Sequence, residues 1–224
     1  MPLCILGVVP RLSPSVLVVL LVLLAAGPGR PTFARQEPRI VQPGAPGQPS
    51  RVVTAAEAGE TAGARHTPAD VAFMQGMLGH HGQALEMTAL VEAHSRTDAV
   101  RTLARRIDVS QRDEMLMMSD WLTRRGEAVP DAHAHAGHSV PLMPGMLSAS
   151  QMQALSAARG PDLDRRFLEG MIQHHQGALT MVETLFATPR AGQEPDIFGF
   201  AADVEADQRM DISRMRALLE ELHP

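Results

Sequence analysis

The chain has 224 residues, a formal net charge of −5, one cysteine, one tryptophan, six phenylalanines and no tyrosine, and its twenty basic residues are all arginine. The lone Cys4 excludes a disulfide scaffold. An acidic chain with 3% aromatic residues offers neither a phosphate-attracting face nor base-stacking platforms, so nucleic acid is not expected as a partner.

Residues 1–34 place Arg11 ahead of an apolar run from Ser15 to Ala26, followed by Gly27, Pro28 and Gly29. The run is shorter than the roughly 20 residues that span a bilayer and suits the core of a secretory signal. Thr32-Phe33-Ala34 supplies small residues for signal peptidase, so cleavage is expected after Ala34. That would give a cysteine-free protein exported to the periplasm or cell envelope. The competing reading keeps the segment as an N-terminal membrane anchor. Cys4 precedes the apolar core and is not a lipoprotein acylation cysteine. Residues 35–66, rich in Pro, Gly, Gln, Ala and Glu, read as a flexible tether.

Residues 67–223 contain a duplication. Phe73, Gly76, Met77, His80, His81, Ala84, Leu85 and Met87 return 94 positions later as Phe167, Gly170, Met171, His174, His175, Ala178, Leu179 and Met181. A weaker echo at an offset of 97 pairs Gln111, Arg112, Met118 and Leu122 with Gln208, Arg209, Met215 and Leu219. The repeating unit is thus a pair of segments, spanning about 67–126 and 161–222, with a linker at 127–160.

Each segment reads as a helix. Thr67, Pro68 and Asp70 form a helix start, and apolar residues continue to about Val91. A second helix runs from about Thr97, with Val100, Leu103, Ile107, Met115, Met118 and Leu122 at three- and four-residue spacing, and stops at Gly126. Ser148 and Gln151 make a capping box for a short linking helix. Pro161 or Asp162 opens a third long helix reaching about Ala187, and Ile197 to Leu222 supply the last. No strand-like alternation of useful length competes. The expected fold is all-α: an antiparallel four-helix bundle built from a duplicated helix hairpin.

At about 100° per residue, His80 falls about 60° to one side of Met77 and His81 about 40° to the other. Both histidines therefore share the face that must turn inward, and the second copy repeats the pattern. The duplication should bring four imidazoles and four thioethers, Met77, Met87, Met171 and Met181, towards a pseudo-two-fold axis. Glu86 and Glu169 point away from that face. Where di-iron bundles use Glu-x-x-His, this chain has Met77-x-x-His80 and Met171-x-x-His174, a soft sulfur in place of a hard oxygen. Imidazole with thioether favours Cu(I), with Ag(I), Zn and Fe as alternatives. A Met or His on an apolar face is ordinarily core filler. Two copies at matching phase argue against that here, because buried imidazoles are costly without partners.

Gln111 and Gln208 occupy equivalent inward positions on the partner helices. There they either hydrogen-bond the outer imidazole nitrogens or are polar residues at a bundle edge. The linker carries His133, His135, His138, Met143 and Met146, a candidate secondary metal site on a flexible arm. Met115, Met117, Met118 and Met215 are further thioethers, of which only Met117 departs from the core stripe. His66, His94 and His223 are isolated and read as surface residues.

The doubled Phe-x-x-x-Met-x-x-His-His-x-x-Ala-x-x-Met segments, the Gln-x-x-(Glu/Asp) helices after them and the Met143-Pro-Gly-Met146-Leu-Ser link resemble the family called domain of unknown function 305. The resemblance covers about residues 67–222. It implies a ferritin-like four-helix fold, export by a bacterium and, among its members, copper binding linked to copper tolerance. It also implies Met77, His80, His81, Met87, Met171, His174, His175 and Met181 as ligands.

The reading that follows is an exported protein that sequesters or transfers Cu(I). Its partner is a metal ion, with no membrane once the signal is removed; a homo-oligomer or a copper-delivery partner is left open. No phosphate loop, activated nucleophile or inward carboxylate pair points to catalysis. The alternatives are a ferritin-like copper or iron oxidase at the same histidines and a structural helical module without metal.

Overall fold

The computed structural model describes residues 40–42, 49–54, 65–132 and 142–222. The apolar segment 1–34, His133, His135, His138 and His223 lie outside them. Five helices follow one another: α1 (Pro68–His94), α2 (Asp98–Arg124), α3 (Ala149–Ala157), α4 (Gly160–Ala187) and α5 (Pro195–Leu222). The fold is all-α apart from one short strand pair. Among the described residues no helix is long and apolar enough to cross a membrane.

Local chemistry sets the boundaries. The Thr67 hydroxyl accepts the Asp70 N–H at 3.3 Å and the Asp70 carboxylate accepts the Thr67 N–H at 2.6 Å, a reciprocal cap with Pro68 in the first turn. Ser148 and Gln151 make the same box at the start of α3. After α2 the chain turns through Gly126 at φ 72°, a left-handed conformation that glycine adopts without a steric penalty.

Within each repeat the two long helices form a hairpin, and the hairpins meet mainly through α1 and α4. These two run antiparallel. A Cβ at Gly76 would lie 3.5 Å from the Met181 methyl, and one at Gly170 would lie 3.3 Å from the Met87 methyl. The N-terminal half of each thus faces the C-terminal half of the other. The apolar core falls into two clusters. One gathers Met87, Ile107, Phe167, Met171 and Met215, and the other Phe73, Met77, Met118, Trp121 and Val204. Exchanging the repeats largely converts one into the other.

Two buried aspartates, 94 positions apart, tie the repeats together. Asp70 accepts the Gly192 N–H from the α4–α5 loop at 2.7 Å. Asp164 accepts the Ser95 hydroxyl at 2.6 Å and the Thr97 hydroxyl at 2.5 Å from the α1–α2 loop. Each histidine-bearing helix therefore grips the turn of the other hairpin.

The linker is more ordered at its ends than a free arm. Leu147 donates its N–H to Gln83 Oε1 at 2.7 Å, and Gln83 Nε2 donates back to the Leu147 carbonyl at 2.9 Å. Gln173 Nε2 reaches the Gly145 carbonyl at 3.2 Å. This segment crosses α1 and α4, which explains why residues 80–84 are buried consecutively, more than a single inward stripe would bury. The expected tether also holds structure. Ile40–Gln42 (β1) pairs antiparallel with Arg51–Val53 (β2), in register Ile40 to Val53. Its β-branched residues favour extended backbone on both sides of a Pro- and Gly-rich stretch, a local signal that composition alone concealed.

Candidate metal centre

His80, His81, His174 and His175 are all fully buried, in the layer where α1 crosses α4. Their rings form a chain. His80 and His174 stack with centroids 3.8 Å apart and planes at 35°. His81 lies 6.4 Å from His80, and His175 lies 6.2 Å from His174. The pseudo-two-fold axis runs between the stacked pair.

Hydrogen bonds fix which nitrogen carries the proton. A carbonyl oxygen or an ionised carboxylate can only accept, so a ring nitrogen facing one must donate. His80 Nε2 donates to the Pro144 carbonyl at 3.0 Å and His174 Nε2 donates to the His80 carbonyl at 2.9 Å. His81 Nε2 faces Glu114 Oε2 at 2.6 Å. In His174, which burial keeps neutral, this leaves Nδ1 with its lone pair. Nδ1 of His81, His174 and His175 is buried and has no hydrogen-bond partner. Buried polar atoms are nearly always satisfied. An inner nitrogen left bare while the outer N–H is held by a carbonyl or carboxylate is the arrangement metal-bound histidines adopt.

Burial and then the neighbouring imidazoles hold His174 well below the ordinary imidazole range. Burial, then electrostatic repulsion from the neighbouring His81 and His80 rings and from the Arg106 guanidinium, pushes His175 down to about 3. Both rings are therefore neutral at physiological pH, the form that can donate a lone pair.

Met77, Met87 and Met171 are fully buried in the two core clusters that flank the histidine layer, and Met181 is half-buried. Among the described residues no three His, Cys, Asp or Glu side chains already converge as a metal cage. Met143 and Met146 do not sit on a separate arm. Met146 is buried, and Met143 Sδ lies 3.3 Å from the Cβ position of Gly76, beside the Met181 methyl. Met117 and Leu116 are exposed, while Met118 and Met215 are core.

The expectation of a centre without acidic groups needs correction. Glu86 is half-buried and Glu169 exposed, but Glu114 and Asp211 approach the histidines from α2 and α5. A wheel drawn on α1 and α4 cannot show residues that arrive from neighbouring helices. The signal was nonetheless present, since Glu114 and Asp211 are 97 positions apart, as Gln111 and Gln208 are. The glutamines are buried, but neither amide atom of Gln111 nor Oε1 of Gln208 has a hydrogen-bond partner. Of the two readings of Gln111 and Gln208, a bond to an outer imidazole nitrogen is not seen for Gln111, and the outer nitrogen of His81 faces Glu114 instead, one turn on.

The fold and this layer define an all-α helical bundle with four buried histidines between its two hairpins. The chain belongs to the family described as domain of unknown function (DUF305), whose sequence profile matches residues 70–219. It is similar to a DUF305 fragment from Deinococcus radiodurans, at 32% identity over 70% of this chain and 98% of that one, with a TM-score of 0.60. It is also similar to a presumptive secreted DUF305 protein from Streptomyces coelicolor, at 28% identity over 69% and 93%, TM-score 0.58. A third similarity is to CopM, solved in Cu(I)-, Cu(II)- and Ag-bound forms. The Cu(I) form shows 25% identity over 69% of this chain and 98% of that one, TM-score 0.54. No curated protein matches at a significant level.

Proposed function

We propose that this protein is an exported metal-binding protein that sequesters or hands over Cu(I). Its donors are Met77, His80, His81, Met87, Met171, His174, His175 and Met181. The observation that carries the reading is the set of buried, partnerless Nδ1 atoms on His81, His174 and His175. Imidazole and thioether together suit Cu(I) and Ag(I) better than Fe or Mg. Glu114 does not harden this donor set, because it occupies the outer nitrogen of His81 and leaves the inner one bare. The metal-bound forms of CopM support the same class of cargo. Export rests on the apolar N-terminal segment and on the secreted class of the Streptomyces relative. Full burial of all four rings favours retention over rapid exchange.

Titrating the protein with Cu(I) against a competing chelator tests this. Tight binding that vanishes in the variant carrying His80→Ala, His81→Ala, His174→Ala and His175→Ala is the expected result. Binding that survives in that variant refutes the assignment. The Glu114–His81 pair also suits a centre that turns over oxygen with copper or iron. Catalytic oxygen uptake by the metal-loaded protein would favour that oxidase over a binding protein.

A further inference from the structure

The two halves of the centre are related by duplication, yet they hold their second histidines differently. Glu114 and Asp211 are equivalent at the offset of 97. Glu114 Oε2 lies 2.6 Å from His81 Nε2, while Oε1 accepts the Ser110 hydroxyl at 3.1 Å. Asp211, one methylene shorter, stops 3.6 Å from His175 Nε2, too far for a hydrogen bond, and both ring nitrogens of His175 lack a partner.

The surroundings explain the difference as well as the lengths do. Arg106 presses against Asp211, and Arg214 Nη1 stands 3.6 Å from it. At the same offset, the position equivalent to Arg106 is Asp203 and the one equivalent to Arg214 is Met117. Both line the groove beside Glu114, with Ser110, Asp113 and Asp207. Asp211 is thus compensated by two guanidiniums from outside the centre. Glu114, with an acid and a thioether in their place, turns its charge towards the imidazole.

We propose that Glu114 is a positioning residue. It locks His81 with its proton on Nε2 and its lone pair on Nδ1, so that a soft cation meets one preset imidazole, His81, and one unheld imidazole, His175. This rests on the metal-binding reading above, because it assigns Glu114 a role towards that cargo. Carboxylates behind metal-bound imidazoles commonly change affinity by about 10–100-fold when removed.

Nitrogen-15 NMR of the metal-free protein reads the lock directly. His81 should show a single tautomer protonated at Nε2, and His175 should not be held in one form by a carboxylate. In Cu(I) competition titrations, Glu114→Leu should lose about 10–100-fold in affinity. Glu114→Gln, whose Oε1 can still accept the N–H, should recover most of it, and Asp211→Asn should change it far less than Glu114→Leu. A His81 protonated at Nδ1 in the native protein overturns the proposal, as does an Asp211→Asn loss equal to that of Glu114→Leu. If Glu114→Leu fails to fold, the native spectrum still decides. If the native protein binds no Cu(I), the functional reading fails while the spectrum judges Glu114 separately.

Discussion

His174 and His175 carry the clearest consequence of burying imidazoles. In the unfolded chain both titrate near about 6.5. In the fold His174 sits well below the ordinary range and His175 at about 3. Between about pH 6.5 and 3 the unfolded state therefore binds more protons, so stability falls as pH is lowered. Each ring contributes a slope of about 1.4 kcal/mol per pH unit inside its window. Denaturant titrations of the metal-free protein should show stability declining from pH 6.5 to 4.5, above the range of most carboxylates. A flat or rising profile there would mean that the rings take up protons in the native state. The histidines themselves were legible, because a motif repeated at one helical phase marks an inward face. The part played by Glu114 and Asp211 was carried only by their 97-position spacing, because it depends on which helix lies alongside and one-helix periodicity carries no such information.

At the scale of elements, close approach is set where the linker crosses the histidine-bearing helices. A Cβ at Gly177 would stand 1.9 Å from the Pro144 carbonyl oxygen and 2.5 Å from Gly145 Cα, both backbone atoms that cannot swing aside. Gly177→Ala should therefore push the Met143–Leu147 segment off α4 and destabilise the protein by about 1–3 kcal/mol, as overpacking does. Gly199→Ala, on α5 with nothing near its Cβ position, should be neutral or slightly stabilising. Thermal unfolding of the two variants makes the comparison, and equal transitions would show that the linker has room to move. The caps at Thr67 and Ser148 were readable because they act over three residues. The crossing was not, because Gln83 and Leu147 meet 64 positions apart. Composition alone likewise hid the pairing of β1 with β2.

Over the whole molecule, the 94-residue repeat is visible in the sequence itself, and its two buried aspartates each bind the turn of the other hairpin. Asp164→Ala would strip the acceptors from Ser95 and Thr97, and Asp70→Ala would strip those from Gly192 and the start of α1. Each loss should be on the order of 3 kcal/mol, since buried hydrogen bonds to a charged group are broken. Asp162→Ala, which breaks only exposed pairs with Arg165 and Arg166, should matter far less. Denaturant midpoints that do not separate Asp164→Ala from Asp162→Ala would show that the loops do not hold the hairpins together.

On the proposed reading a soft cation binds between α1 and α4 on imidazole nitrogen and thioether sulfur. Copper K-edge X-ray absorption of the Cu(I)-loaded protein tests it most directly. A shell containing both nitrogen and sulfur is expected, with the sulfur lost when Met77, Met87, Met171 and Met181 are replaced by leucine. A shell of oxygen and nitrogen alone in the native protein would contradict it.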